Sequence, residues 1–330
     1  MTNRFNFLVV GGAGYIGSHM TKFLIERGNH VCVFDNLSTG YRDAVFDAEF
    51  FAGDLSSVDE IQEVLRLYCF DGVFHFASNI EVAESVVNPH KYYFNNVRNT
   101  LNLIDAMIKV GSHRLIFSST AAVYGHPEKS PMTEDHPRNP INPYGRSKQM
   151  IETILSDYRR AHGFKSMSLR YFNAAGADPG GRLGERHDPE SHLIPIAIQA
   201  ALGQRDSMSV FGADYETPDG SCVRDYIHVN DLCDAHLRAF EYLNHGSFGT
   251  ELNLGTGQGF SVFEVIDAVK RASKRDFPVL ISGRRLGDPA ELVADAGAAY
   301  DTLGWSPSRS NLDQIVKDAW NFYVTRNALN

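Results

Sequence analysis

Tyr144 and Lys148 stand four residues apart in YGRSK, at the start of a long helical pattern, a spacing that puts both side chains on one helix face. A phenol with its ordinary pKa of about 10 is a poor base at neutral pH. An adjacent ammonium favours the phenolate and lowers that value. The same spacing also serves ordinary surface pairs, so it acquires meaning only beside a second signal. That signal is FSSTAAVYG, residues 117–125, at the C-terminal end of a predicted strand. Ser118, Ser119 and Thr120 place three hydroxyls where open α/β sheets build their sites, and one of them could bridge a substrate oxygen and the tyrosine. Residues that merely cap a strand end would account for any one of the three, but less well for the combination.

Gly11, Gly14 and Gly17 form GxxGxxG directly after one predicted strand and at the opening of a helix. That context suits a tight turn, close approach of backbone to a pyrophosphate, and close helix–strand packing. Asp35 ends the second strand, 18 residues after Gly17, where a carboxylate can accept both hydroxyls of a ribose. A helix or turn cap is the plainer role for the same aspartate. No Lys or Arg follows until Arg42, so nothing waits for a 2′-phosphate and NAD is favoured over NADP. The phosphate loop GxxxxGK[ST] is absent. Asp54 follows Gly53 and could meet an adenine amine or cap the helix beginning near Val58; spacing leaves both open.

The elements that must hold these residues can be read from alternation. Strands are predicted at Asn6–Val10, His30–Phe34, Gly72–Phe76, Arg114–Phe117 and Met167–Tyr171. Helices are predicted at Ser18–Arg27, Val58–Leu67, Tyr93–Val110 and Tyr144–His162. Strand and helix in turn imply an α/β chain with a doubly wound parallel sheet of Rossmann type over residues 1–175. After residue 175 the pattern loosens, and 176–330 reads as a smaller α+β substrate-binding domain. Segments near 223–255 are candidates to return to the first domain.

Composition agrees. The chain has 330 residues, 43% hydrophobic and 11% aromatic, ample for a packed core. Thirty-one basic against 40 acidic residues give a net charge of −9, which argues against a nucleic-acid binder with a generally basic surface. No run of about 18 apolar residues suggests a membrane span. The first apolar stretch runs straight into the glycine turn without a signal-peptide cleavage pattern. Cys32, Cys69, Cys222 and Cys233 show no CxxC spacing, which points to a reduced, cytoplasmic enzyme.

The motifs VVGGAGYIGSH, DNLS, FHFAS…VAESV, YYFNNV, FSSTAAVYG, INPYGRSK, LRYFNAAG, DGSCVRDYIHV and RRLGD span essentially the whole chain. Together they resemble the extended short-chain dehydrogenase/reductases, and among these the UDP-glucose 4-epimerase family. By that resemblance Thr120, Tyr144 and Lys148 are catalytic. NAD contacts fall on Gly11, Gly14, Tyr15, Ile16, Gly17, Asp35, Asn36, Asp54 and Leu55, on Phe76, Ala77, Asn95 or Asn96, Ser118 and Tyr171, and on Tyr144 and Lys148 themselves. The nucleotide-sugar pocket takes Asn173, Leu193, Phe211, Arg224, Arg285, Asp288 and Leu292, together with Thr120 and Tyr144. The two arginines would supply fixed cations for a diphosphate, and Phe211 a flat face for uracil.

The implied activity is interconversion of UDP-glucose and UDP-galactose. Hydride leaves sugar C4 for the nicotinamide while Tyr144 takes the hydroxyl proton, and hydride returns to the opposite face of a 4-keto sugar. Epimerases of UDP-glucuronate or UDP-pentoses are the near alternatives. A 4,6-dehydratase would need an acidic pair where Ala121 and Ala122 stand, and an NAD-sensing regulator should have lost Tyr144 or Lys148. Leu292, smaller than tyrosine and larger than serine, implies weaker turnover of UDP-N-acetylglucosamine; a register shift would bring Glu291 there instead. Ile80 stands where many relatives carry a lysine on the nicotinamide ribose. The resemblance also implies a homodimer through the helices at 93–110 and 144–162. His187 and His192, flanking Asp188 and Glu190, read as an ordinary acidic loop, and no metal is expected.

Overall fold

The computed structural model describes residues 4–285 and 287–328. Along the first half run β1 (Asn6–Val10), α1 (Tyr15–Ile25), β2 (His30–Asp35), β3 (Glu49–Ala52), α2 (Val58–Leu67), β4 (Gly72–His75), α3 (Val82–Val87) and α4 (Pro89–Tyr92). A π-helical segment, Tyr93–Arg98, leads into α5 (Asn99–Val110), then β5 (Arg114–Thr120), α6 (Pro143–His162), β6 (Lys165–Tyr171) and β7 (Asn173–Ala175). There follow α7 (Leu193–Ala201), β8 (Met208–Phe211), β9 (Val223–His228), α8 (Val229–Asn244), β10 (Glu251–Leu254) and β11 (Gly259–Ser261). The chain ends with α9 (Val262–Ser273), β12 (Val279–Ser282), β13 (Glu291–Leu292), α10 (Gly297–Leu303) and α11 (Leu312–Asn327).

Two compact units result. The first holds residues 1–126, 137–170 and 233–253; the second holds 127–136, 171–232 and 254–330. The first is built on a seven-stranded sheet in the order β10-β6-β5-β4-β1-β2-β3. The β1–β2, β1–β4, β2–β3 and β4–β5 pairs are parallel. Its strands are near-continuous apolar runs because helices cover them: Leu8, Val10, Phe34, Ile104, Phe117 and Ile151 share one core. The Glu49–Ala52 strand is absent from the sequence-based set, since four residues give too short a period to register.

The second unit has its own core, with Ile194, Ile198, Val210, Tyr226, Val265, Val316 and Phe322-adjacent helix residues such as Ala319 among its members. Here β11 and β13 flank β9, β7 also pairs with β9, and β12 pairs with β8. Among the described residues no helix is long and apolar enough to cross a membrane. All four cysteines are free.

Local chemistry fixes the element that matters most. Asn142 caps α6 by accepting from the Gly145 N–H at 2.8 Å, and Pro143 occupies the first turn, where its missing N–H costs nothing. Gly163 closes the helix at φ 62°. Tyr144 therefore sits in the first turn of a 20-residue helix, with Lys148 and Glu152 following at one-turn intervals.

Candidate active site

The glycine turn behaves as its spacing predicts. Gly11 has φ +79°, and a Cβ there would stand 2.5 Å from the Ala77 nitrogen. A Cβ on Gly17 would meet the Gly11 oxygen at 2.1 Å, so this glycine lets helix and turn touch. Gly14 differs: a Cβ would only approach the Gly11 oxygen at 3.4 Å, leaving room beside the α1 N-terminus. No side chain caps that terminus and no acid stands in its first turn, so its first N–H groups remain directed at an incoming anion. Tyr15 and Ile16 open α1, both half-buried.

Asp35 ends β2, accepting from the Ala13 N–H at 2.9 Å through one oxygen and from Leu37 N–H at 2.8 Å through the other. Each oxygen keeps a lone pair for a ribose hydroxyl. Burial raises its pKa while the two N–H donors pull the other way. Arg42 lies over the Phe50 ring at 4.5 Å. Asp54 is not the helix cap: Ser57 caps α2, and the Asp54 carboxylate takes the Asn36 amide at 2.6 Å and Ser56 N–H at 2.7 Å. Leu55 is buried beside it, its carbonyl held by Asn102. Phe76 lies just beyond β4, its ring tilted against His236 at 4.9 Å; Ala77 follows against Gly11. These residues fit an NAD molecule: an open helix N-terminus for pyrophosphate, a ribose carboxylate and a polar pair for adenine.

The π-helical segment separates Asn95 from Asn96. Asn96 is fully buried and spends its amide on the Asn79 backbone, through N–H and carbonyl, and on the Ser147 hydroxyl. Asn95 is only half-buried and keeps surface for a ligand. Asn96 positions; Asn95 is the member able to touch a cofactor.

β5 runs through Thr120, three residues beyond the predicted end, so the three hydroxyls lie within the strand rather than after it. Alternation sets Ser119 on the opposite side from Ser118 and Thr120. Ser119 donates to Glu152 at 2.6 Å and is fully engaged there. Thr120 accepts from the Ala122 N–H at 3.1 Å, and its hydroxyl is near enough to the Tyr144 phenol to act on its acidity. Ser118 is buried, and its carbonyl receives the Lys148 ammonium at 2.8 Å; the Ser78 hydroxyl receives it at the same distance.

The electrostatics correct one expectation. The Tyr144 pKa is raised, not lowered: burial outweighs the nearby Thr120 hydroxyl, which acts to lower it. Lys148 lies 6.0 Å from the tyrosine ring centroid and is itself pushed down by burial to about 7, with Glu152 acting against that. Both groups are desolvated, and their charged forms suffer for it.

Spacing missed the apparatus behind these residues. Ser78 anchors Lys148. Glu152, fully buried one turn beyond Lys148, is gripped bidentately by Arg170 at 2.8 and 2.7 Å, and Arg170 also donates to Tyr124, which donates to Asn253. The continuation of Tyr144 and Lys148 by a glutamate at the next helical turn was the available signal.

In the second unit Arg224 on β9 is held by the Asp288 carboxylate and by its own strand's Val223 carbonyl. Leu292 is the register partner of Arg224, whereas Glu291 is exposed and takes the Ser130 hydroxyl. Arg285 lies over the Phe211 ring at 4.0 Å, so one face of that ring carries a cation. Asn173 begins β7 and donates to the Asp225 carbonyl. Leu193 is the first residue of α7, half-buried, and Tyr171, at the end of β6, is buried.

Residues 7–255 match the NAD dependent epimerase/dehydratase family. A UDP-glucose 4-epimerase of Rhizobium meliloti is 49% identical over 98% of this chain and 98% of its own. The UDP-glucose 4-epimerase of Brucella ovis in complex with NAD superposes with a TM-score of 0.94 at 47% identity, covering 96% of this chain and 98% of that one. The UDP-Glc/GlcNAc 4-epimerase of Campylobacter jejuni gives a TM-score of 0.85 at 44% identity over 97% and 99%. With glycine turn, ribose carboxylate and the Thr120–Tyr144–Lys148 group all in place, the chain belongs to the NAD dependent epimerase/dehydratase family, in its UDP-glucose 4-epimerase branch.

Proposed function

We propose that the protein interconverts UDP-glucose and UDP-galactose. The observation that carries this is the placing of Tyr144 and buried Lys148 one turn apart in the first turns of α6, with the Lys148 ammonium anchored on the Ser78 hydroxyl and the Ser118 carbonyl. NAD, held at the glycine turn and by Asp35 and Asp54, would supply a reversible hydride acceptor for sugar C4. Tyr144 accepts the 4-hydroxyl proton as that bond to hydrogen is lost and returns it at the end. Thr120 holds the oxygen and passes its proton toward Tyr144; Lys148, fixed by Ser78 and Ser118, steadies the ribose and favours the phenolate. Arg224 and Arg285 would grip the diphosphate while the 4-keto sugar turns over, so the first unit serves NAD and the second the UDP-sugar. Ala121 and Ala122 provide no acid or base for water elimination, which disfavours the dehydratase reading.

We further propose a homodimer in the cytoplasm, with Leu292 admitting N-acetylated sugars weakly. Incubating the protein with UDP-galactose and no added NAD tests the activity. UDP-glucose should accumulate; its absence even with NAD supplied would refute the assignment.

A further inference from the structure

A cluster in the second unit takes no part in this chemistry. Glu185, His187, Glu190 and His192 each offer a ligand atom, and these atoms lie within 4.8 Å of one another. The Nδ1 of His187 is 3.3 Å from Glu185 Oε1 and 3.7 Å from Glu190 Oε1; the Nδ1 of His192 is 3.0 and 3.1 Å from the same two oxygens. We propose that these four side chains form a structural zinc site.

The spacing of the atoms can accommodate an ion. Ligands about 2.0–2.2 Å from a tetrahedral zinc stand about 3.3–3.6 Å apart, close to the separations found here. Hydrogen bonding leaves the cluster badly served. Glu190 Oε1 already accepts from the Ser191 and His192 N–H groups, both at 2.9 Å, besides facing His192 Nδ1. Meanwhile Glu190 Oε2, on a side chain more than nine-tenths buried, has no partner. A buried carboxylate oxygen left unmatched beside two imidazoles is what a shared cation would satisfy.

Charge agrees with this. Two carboxylates neutralise a dication while both imidazoles bind in neutral form. Two imidazole nitrogens select a zinc-like ion over magnesium or calcium. Four side-chain ligands fill a tetrahedron and leave no open position, so the role is structural. The ion would fasten the loop that ends at His192, the N-cap position of α7. Tyr323 of α11 already supports that loop by donating to the Glu185 carbonyl at 3.1 Å.

The test uses untagged full-length protein and zinc chloride. After dialysis against metal-free buffer, mass spectrometry of the elements should find about one zinc per chain. Stripping with a strong chelator should lower the Tm by at least about 3 °C, and zinc chloride alone, not magnesium chloride, should restore it. In a double variant, His187→Gln with His192→Gln, zinc should fall at least tenfold and the Tm should ignore the chelator. Wild-type protein that retains no zinc after incubation with it, or a variant that retains as much, overturns the proposal. Should the variant not fold, zinc titration of the stripped wild type in competition with a chromogenic chelator decides: no stoichiometric uptake rejects the site. None of these readouts depends on epimerase activity.

Discussion

The Tyr144 phenol is where proton transfer succeeds or fails. Tyr144→Phe keeps the ring and its packing while removing the only atom that can take the proton. Its kcat should fall at least ~10²-fold with NAD still bound, measured by turnover and by cofactor content after purification. Near-normal turnover would remove Tyr144 from the mechanism. Thr120→Val should cost less, because water can replace a hydroxyl; Ser119 cannot stand in, since its hydroxyl is committed to Glu152. Lys148 makes a second, independent prediction. Its ordinary value of 10.5 drops to about 7 in the folded protein. Between those values the unfolded chain binds a proton that the folded one lacks, so this lysine makes stability rise with pH from about 7 to 10.5. Denaturation of cofactor-free protein across that window should show a shallower rise in Lys148→Met than in wild type. Parallel curves would mean that the ammonium is not desolvated. For the sugar, Leu292→Tyr should lower turnover of UDP-N-acetylglucosamine relative to UDP-glucose by roughly 10–200-fold. An unchanged ratio would show that Leu292 is not the gate. At this scale sequence spacing marked residues that the fold does bring together, and it was a poor guide to how they titrate. Tyr144, Lys148 and Thr120 are recognisable by type and interval, but desolvation depends on atoms brought in from β4 and β5.

Helix α6 presents Tyr144, Lys148 and Glu152 on successive turns, and the last of these ties the helix to the sheet. The Arg170–Glu152 pair is bidentate and buried, with Ser119 and Tyr124 completing its hydrogen bonds. Removing Arg170 leaves the buried Glu152 carboxylate with only the exposed Arg138 guanidinium at 3.4 Å, so Arg170→Met should destabilise by about 3 kcal/mol in chemical denaturation. The double change, Arg170→Met with Glu152→Leu, should cost less than the single one. If it costs more, the pair is not coupled as its geometry indicates. Most first-unit elements were legible because their apolar periods are long: α2 is found at its predicted bounds, and α1, β2, β4, α6 and β6 differ by a few residues. The π-helical turn at Tyr93–Arg98 was not legible, since a local widening by one residue leaves no mark on a hydrophobic pattern. The second unit was equally opaque in detail. Its strands are two to six residues long, and its buried Asp225 joins segments 31 to 69 positions away, at Thr256, Gly257 and Ala294.

For the molecule as a whole, exposed apolar side chains on the first unit support self-association. Val86 and Val87 on α3 are 63% and 83% exposed, and Phe94 and Met150 are exposed on the π-helical segment and α6. Light scattering at micromolar concentration should therefore give about twice 36.7 kDa; a mass near 36.7 kDa would sink the dimer. The segment 233–253, which rejoins the first unit, has a different consequence. It supplies most of α8, with Phe240 packed edge-on against Phe5 and Phe7, and β10, whose strand completes the edge beside β6. On the ribosome the nascent chain therefore has β6 ready long before its neighbour exists. Until residue 253 has emerged, β6 offers an open row of backbone donors and acceptors, and Phe5 and Phe7 at the start of β1 lack the Phe240 ring, surfaces to which chaperones attach and through which stalled fragments aggregate.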